Sequence, residues 1–359
     1  MDVRPIEQRK RDHLEPFRGP GVPAREASTW LSCVHLIHQA LPELDLRDVD
    51  LTVDFLGHRL RAPLWVTGMT GGTPEARRIN QEIARVCDDL GIAFGLGSQR
   101  AMVVDPSTQE TYQVREVAPT VLLAGNLGGV QLARMPLEAV RRLIDDVGAD
   151  ALCVHLNPAQ ELAQPEGDRD FRGIAEAIAR ACRELPVPVI VKEVGCGISR
   201  EAARRLVEAG VSALDVAGTG GTSWVGLEIG RGPDSGEPDP EAFWDWGIPT
   251  AAAIVEAEGM GVPLIASGGI RTALDALRAL ALGATMVGLA APVIQAWFQG
   301  GQDAVRRRLA SLIDWIARGM LLTGARNLAE LRNVPRVLLP PLADFVRERR
   351  TGLIGGEVR

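Results

Sequence analysis

Cysteine is scarce in this sequence and shows no pairing pattern. Its five thiols, Cys33, Cys87, Cys153, Cys182 and Cys196, are odd in number and include no Cys-x-x-Cys. Most lie within apolar runs, which predicts buried thiols in a reducing compartment. Positive charge is also in deficit: 39 Lys and Arg against 46 Asp and Glu give a net charge of −7, which argues against a general nucleic-acid binder. Long apolar runs are missing. The longest, residues 279–294, is short for a membrane span and contains Gly283, Gly288 and Pro292. The charged N-terminal stretch 7–15 is not followed by the apolar segment of a secretory signal. These absences lead to the expectation of a soluble, cytoplasmic protein with neither a nucleic-acid nor a membrane partner. A dinucleotide fingerprint is missing as well: Gly68-Met69-Thr70-Gly71-Gly72 is not G-x-G-x-x-G, which counts against a doubly wound sheet.

What the chain does have is a sizeable stock of core residues, 46% hydrophobic over 359 positions. That is enough for one large α/β barrel or two ordinary domains. One unit recurs: an amphipathic helix, a glycine, then a short apolar strand. Ile79, Ile83, Val86 and Leu90 share a helical face ahead of Gly91 and strand 92–96. Val140, Leu143, Ile144 and Val147 do so ahead of Gly148 and strand 151–156. Gly210 and Gly283 precede strands 213–216 and 286–289. Glycine is the common helix stop, and a strand buried on both faces reads as a continuous apolar run. With strands at 63–67, 121–126, 188–194 and 263–267, the count predicts a (β/α)8 TIM barrel with an N-terminal extension. The expected division is an extension over 1–61 carrying the basic patch Arg9-Lys10-Arg11, a barrel over 62–325 and a tail over 326–359. Residues 229–245, rich in Gly, Pro and acid, predict a mobile lid or subunit-contact loop.

In such a barrel the chemistry sits where the strands end. The fourth strand runs straight into His155-Leu156-Asn157-Pro158-Ala159-Gln160-Glu161: an imidazole, two amides and a carboxylate, with no serine or cysteine. That set does not suit acyl transfer. It suits a diphosphate with its Mg²⁺ on Glu161. The seventh and eighth strand ends, Ser267-Gly268-Gly269 and Leu289-Ala290-Ala291, read as a phosphate pocket in which small residues let backbone N–H groups approach oxygen. Together with Lys192 on the fifth strand and the glycines after the first, they suggest FMN, with Lys192 at the N1–C2 edge of the reduced ring. Taken singly, each residue has a plainer explanation. Lys192 could be a surface charge, the Gly-Gly pairs turns, His155 a structural histidine, and Met69 and Trp224 packing. Eight small or polar strand ends together do not fit those explanations. Cys196 is read as packing.

The segments Arg9-Lys10-Arg11-Asp12-His13-Leu14-Glu15, Met69-Thr70-Gly71-Gly72, Gly97-Ser98-Gln99-Arg100, Asn126-Leu127-Gly128, 155–161, Val191-Lys192-Glu193-Val194-Gly195, 218–224 and 266–270 resemble, in order and spacing, the type 2 isopentenyl-diphosphate Δ-isomerases. The likeness runs over about residues 7–330. It implies a barrel holding reduced FMN, with Mg²⁺ and NADPH needed, that moves a double bond in a five-carbon prenyl diphosphate without net redox change. It implies FMN contacts from Gly68, Met69, Thr70, Ser98, Asn126, Lys192, Thr222, Gly268, Gly269, Ala290 and Ala291. Substrate contacts would come from Arg9, Lys10, Ser98, Arg100, His155, Asn157 and Gln160. Glu161 would be the Mg²⁺ ligand. Gln160, flanked by His155 and Asn157, would be the catalytic group that positions substrate or relays a proton. It also implies a homotetramer or homo-octamer whose basic N-terminal segment closes over substrate.

Two positions depart from that family: Gly68 stands where alanine or serine is commoner, and Ala291 where arginine or glycine occurs. A flavin oxidase of 2-hydroxy acids would need a histidine after the sixth strand, and a relative of inosine-monophosphate dehydrogenase a cysteine there. Gly218-Thr219-Gly220-Gly221-Thr222-Ser223-Trp224 has neither. A family member turned to longer prenyl diphosphates, cyclising or isomerising them, is the alternative that stays open.

Overall fold

A computed structural model describes residues 4–231 and 238–351. Eight short parallel strands close on themselves: β1 (Leu64–Val66), β2 (Ala93–Gly95), β3 (Leu123–Gly128), β4 (Ala151–His155), β5 (Val189–Lys192), β6 (Ala213–Asp215), β7 (Leu264–Ala266) and β8 (Met286–Leu289). Each pairs with the next, and β8 pairs with β1. This is the expected (β/α)8 barrel. β3 runs on to Gly128, two residues past the expected end, because Asn126, Leu127 and Gly128 stay in register with Cys153, Val154 and His155 of β4.

Local signals explain the helices that surround it. Helix α2 (Pro74–Leu90) starts on Thr73, whose hydroxyl accepts the Ala76 N–H at 3.1 Å. It buries Ile79, Ile83 and Val86, and stops at Gly91 with φ +65°. Helix α3 (Leu137–Val147) buries Val140, Leu143, Ile144 and Val147, then stops at Gly148 with φ +63°. Inside the barrel a separate apolar plug forms from Trp65, Ala93, Ala124, Cys153, Ile190, Ile265 and Met286. The hairpin of strands Val53–Phe55 and His58–Leu60 closes it, with Phe55 edge-on to Trp65 at 5.7 Å. Side chains fill the barrel, so the open space lies at the strand ends.

The segments flanking the barrel share its core. Leu31, Val34, Leu331 and Leu342 belong to the same buried cluster as the barrel's outer face. Val34–Leu36 pairs antiparallel with Arg336–Leu338. Helix α8 (Leu342–Thr351) is tied down where Arg349 donates to buried Glu256 at 2.6 and 3.0 Å. Helix α1 (Arg4–Leu14) lies at the mouth of the barrel. In the predicted loop 229–245, residues 232–237 lie outside the described residues. Beyond them Asp245 accepts the backbone N–H groups of Arg25, Glu26 and Ala27 at 2.6–3.0 Å. The Arg25 guanidinium sits 3.6 Å over the Trp244 ring. This half of the loop is therefore pinned to the N-terminal extension.

The cysteine expectation needs correction. All five thiols are free, but only Cys33, Cys87 and Cys153 are buried; Cys182 and Cys196 are half-buried. Cys33 lies in the turn Leu31–Cys33 of the extension, Cys87 in α2 and Cys153 in β4, whereas Cys182 sits near the end of helix α4 (Ile174–Glu184) and Cys196 in the loop after β5. Among the described residues no helix is long and apolar enough to cross a membrane.

Ile83 has no exposed surface and lies on the face α2 turns to the barrel. Ile83→Ala is expected to lower unfolding stability by about 2–5 kcal/mol through lost burial and the cavity left behind. Denaturant unfolding with an unchanged m-value checks this.

Candidate active site

The C-terminal ends of the strands and α1 enclose one cavity, and every residue expected at the site lines it. Gly68, Met69 and Thr70 come from the β1 end, Ser98 and Arg100 from β2, and Asn126 from β3. His155, Asn157, Gln160 and Glu161 come from β4, Lys192 from β5, and Thr222 from the loop after β6. Gly268, Gly269, Ala290 and Ala291 close the β7–β8 side, and Arg9 and Lys10 come from α1.

The β7–β8 side has the makings of an anion site. Gly268 and Gly269 have φ of +95° and +71°. A Cβ on Gly268 would lie 2.1 Å from the Gly218 carbonyl, and one on Gly269 2.7 Å from that of Gly220, so only glycine permits this backbone-to-backbone packing. Two helices begin nearby, and they differ. Helix α6 (Ala273–Ala281) is closed by a Thr272–Asp275 capping box. Helix α7 (Ala291–Thr323) has no side-chain cap at Ala290. Pro292 in its first turn has no N–H, and the Val293 and Ile294 N–H groups donate to the Ala290 carbonyl, so the Ala291 N–H, at the positive end of the helix dipole, is the one left for a phosphate.

Lys192 is 7% exposed and sits in register between His155 of β4 and Asp215 of β6. Its Nζ donates to the Glu193 carbonyl at 2.5 Å. Asp215 accepts from Ser267 Oγ at 2.6 Å and Thr67 Oγ1 at 3.4 Å, two hydroxyls on residues that line the cavity. Burial pushes the Asp215 pKa up, and Lys192 and the hydroxyls oppose this. The Glu193 carboxylate turns away to accept the N–H groups of Val194, Gly195 and Cys196, which shapes the β5 loop.

His155 Nδ1 lies 2.8 Å from Asn126 Oδ1. The Asn126 amide is oriented by its own donation to the Leu96 carbonyl at 3.1 Å, so Nδ1 carries the proton and Nε2 is left as an acceptor. Burial, then Lys192, Lys10, Arg9 and Arg100, drive the imidazole pKa down to about 3. His155 is therefore a neutral hydrogen-bonding group at physiological pH.

Across the mouth, positive charge gathers. Lys10 Nζ donates to the Ser98 carbonyl at 3.3 Å, an oxygen it shares with Tyr112 Oη at 2.8 Å. Burial lowers the Lys10 pKa to about 7, and the neighbouring Arg9 and Arg100 add to the effect. Arg9 Nε is buried with no hydrogen-bond partner. Facing this group, Glu161 is 6% exposed. Its carboxylate accepts from Asn157 Nδ2 at 3.1 Å and from the Asp168 N–H at 2.8 Å. Gln160 donates through Nε2 to Glu228 at 2.8 Å and accepts through Oε1 from Asn157 at 3.1 Å.

Sequence reasoning missed several residues here. Glu228 has no exposed surface, and His13 Nε2 lies 3.0 Å from its carboxylate. His13 also meets Trp224 edge-on at 5.3 Å. Gln164 lines the cavity with a buried Nε2 that has no partner. Glu228 and Asp215 shared a legible signal, a single carboxylate inside an apolar run (Val225-Gly226-Leu227-Glu228-Ile229 and Ala213-Leu214-Asp215-Val216). Buried acids in such runs need a structural or chemical reason.

Comparison with known proteins agrees with this geometry. Residues 156–336 match the family described as FMN-dependent dehydrogenase. A mandelate oxidase structure superimposes with TM-score 0.63 at 24% identity, covering 94% of this chain and 99% of that one. A putative lactate oxidase of Pediococcus acidilactici does so with TM-score 0.66 at 17% identity, covering 94% and 96%. At those identities the likeness is one of fold. Barrel, glycine-walled anion pocket and family match together define an FMN-dependent flavoprotein barrel. Sequence relatives narrow the class. The isopentenyl-diphosphate delta-isomerase of Methanosarcina barkeri (strain Fusaro / DSM 804) is 43% identical over 347 residues, 95% of this chain and 94% of the relative. That of Pyrococcus abyssi is 44% identical over 351 residues, 95% and 93%. The chain belongs to the isopentenyl-diphosphate delta-isomerase family.

The His155 ring is expected to stay neutral, with its proton on Nδ1, from pH 8 down to pH 5. Nitrogen-detected histidine NMR reads this directly. An imidazolium signal from His155 near pH 6 would contradict the assignment.

Proposed function

We propose that this protein interconverts isopentenyl and dimethylallyl diphosphate, with reduced FMN held at the barrel mouth. The observation that carries the reading is a group of cations with no ion pair among the described residues, although Glu161, Glu228 and Glu166 draw on Arg9 from further off. Arg9, Lys10 and Arg100 crowd together, Lys10 is drawn down to about 7, and one guanidinium donor has no acceptor. A diphosphate supplies what is missing, in charge and in hydrogen-bond acceptors. Family membership supports the same substrate.

FMN fits the opposite side. Its phosphate would lie at the uncapped start of α7 against Gly268, Gly269, Ala290 and Ala291. Its ring would contact Gly68, Met69, Thr70, Ser98, Asn126 and Thr222, with Lys192 at its electron-rich edge. Bound and reduced, FMN supplies electron density and an exchangeable proton without net redox change. NADPH is the proposed reductant. Mg²⁺ would arrive with the diphosphate and bind Glu161. Among the described residues no group of three or more His, Cys, Asp or Glu could hold a metal. A single carboxylate suits an ion bound mainly through substrate phosphates.

The protein's own groups suit double-bond migration. Moving the bond adds a proton at one carbon and removes one nearby, through a cation-like state that water would capture. Asn157 and Gln160 position substrate without adding a strong acid, and neutral His155 adds no positive charge beside that state. Residues of α1 and Trp224 line the mouth, and His13 meets Trp224 edge-on there, which narrows the way in for water. A 2-hydroxy-acid oxidase would need a histidine in the loop after β6, and 218–223 contains none. A homotetramer or homo-octamer in the cytoplasm is the proposed assembly and setting.

The FMN-loaded enzyme is expected to be silent when oxidised and active once reduced anaerobically. Deuterium from D₂O should enter the five-carbon skeleton. Nicotinamide oxidised one for one with product would sink the reading. Turnover confined to a longer prenyl diphosphate would transfer it to that alternative. The two adjacent polar residues should also fail differently. Glu161→Gln is expected to raise the Mg²⁺ requirement and KM, whereas Gln160→Asn lowers kcat by about 10²-fold with Mg²⁺ dependence nearly intact. Matching kinetic signatures for the two would show that their roles are not divided.

A further inference from the structure

Helix α5 (Trp224–Arg231) ends on a residue that touches three separate parts of the mouth. Arg231 Nη1 donates to Glu228 Oε2 at 2.5 Å. Its Nε reaches Asp12 of α1 at 3.4 Å, and its Nη2 reaches Glu166, in the loop after Glu161, at 3.4 Å. The guanidinium is 17% exposed and does not line the cavity. Its partners are therefore the basic helix above the pocket, the wall behind Gln160 and the loop beside the carboxylate at 161.

The Glu228 contact matters most. This carboxylate has no exposed surface, and a buried anion needs paired charge to remain ionised. Among the described residues, its contacts able to carry positive charge are His13 and Arg231. Burial lowers the His13 pKa and its contact with Glu228 opposes this; the ring can donate its N–H with or without a charge, whereas a guanidinium is always charged. The fixed charge beside Glu228 is therefore that of Arg231. Ionised, Glu228 can only accept, and this turns the Gln160 NH₂ toward it and the Gln160 oxygen toward Asn157.

We propose that Arg231 is a positioning residue with two separable actions: it fixes the Gln160 amide through Glu228, and it latches the N-terminal helix over the pocket through Asp12. The effect on turnover rests on the isomerase reading above; the latch does not. Two further charged groups bear on the latch: Glu166 competes for the same guanidinium, and Arg9 on α1 is drawn toward Glu228 and Glu166.

The test uses the FMN-loaded full chain. Arg231→Gln is expected to lower kcat and raise KM for the diphosphate, each roughly tenfold, the scale of one lost charge-assisted hydrogen bond. Amide hydrogen exchange across residues 8–14 should speed up by about tenfold as the helix loosens. Arg231→Lys keeps the charge beside Glu228 but lacks the three-way fork, so it should recover most of kcat while KM stays raised. Asp12→Asn, which removes the charge that pairs with Arg231 but keeps an oxygen for the Gln8 amide at 2.7 Å, should raise KM and the exchange rate and leave kcat at saturation unchanged. Unchanged exchange in both Arg231→Gln and Asp12→Asn would overturn the latch. Equal kcat loss in the Lys and Gln variants, both with full flavin content, would overturn the action on Gln160. Should the wild type prove inactive on five-carbon diphosphates, the exchange measurements still decide the latch.

Discussion

Lys10 and Lys192 both lose nearly all contact with water, and each could settle its charge only with what the fold places beside it. Burying an ammonium is costly unless it is paired and hydrogen-bonded. Lys192 has a backbone carbonyl and, on the next strand in register, Asp215. Lys10 has a carbonyl and two more cations, Arg9 and Arg100. Lys192 thus has a carboxylate on the neighbouring strand, whereas the charges beside Lys10 are cations and the acids that draw on Arg9 are Glu161, Glu228 and Glu166. Burial first, and then the neighbouring Arg9 and Arg100, lower the Lys10 pKa, and the buried Arg9 Nε stands without a partner.

The acids near the mouth are mostly committed to the protein itself. Glu193 is occupied by three backbone N–H groups, Asp215 by two hydroxyls, and Glu228 by Gln160, His13 and Arg231. Glu161 differs because it lines the cavity and its protein partners are neutral donors, an amide and one N–H. A cation brought in by a ligand would meet that carboxylate before the others.

Close backbone packing sets the shape of the other wall. Gly68 shows how. A Cβ there would lie 2.5 Å from the Asn126 amide nitrogen. Asn126 in turn holds His155 in its tautomer. In this chain the glycine, the amide and the imidazole form one arrangement, and a larger residue at 68 would displace all three.

Much of the barrel could be read from the sequence because its determinants are local. Glycine stops such as Gly91 and Gly148, helical faces such as Ile79-Ile83-Val86 and continuous apolar strands each act within a few residues. The strand ends were legible for a related reason: once the order of eight parallel strands is known, their C-terminal residues must converge. So His155, Gln160, Glu161, Lys192 and the Gly268-Gly269 pair could be gathered without coordinates. The sequence could not say which polar groups are spent on one another. Glu228 meeting Gln160, His13 reaching Glu228 and Asp215 accepting from Ser267 join residues 52 to 215 positions apart. Nor could it say that the tail's Arg336–Leu338 pairs with Val34–Leu36, or that Asp245 caps the chain at 25–27. Local propensity specified the elements. Tertiary closure decided which buried charges find partners, because a charge excluded from water is governed by its neighbours in space rather than along the chain.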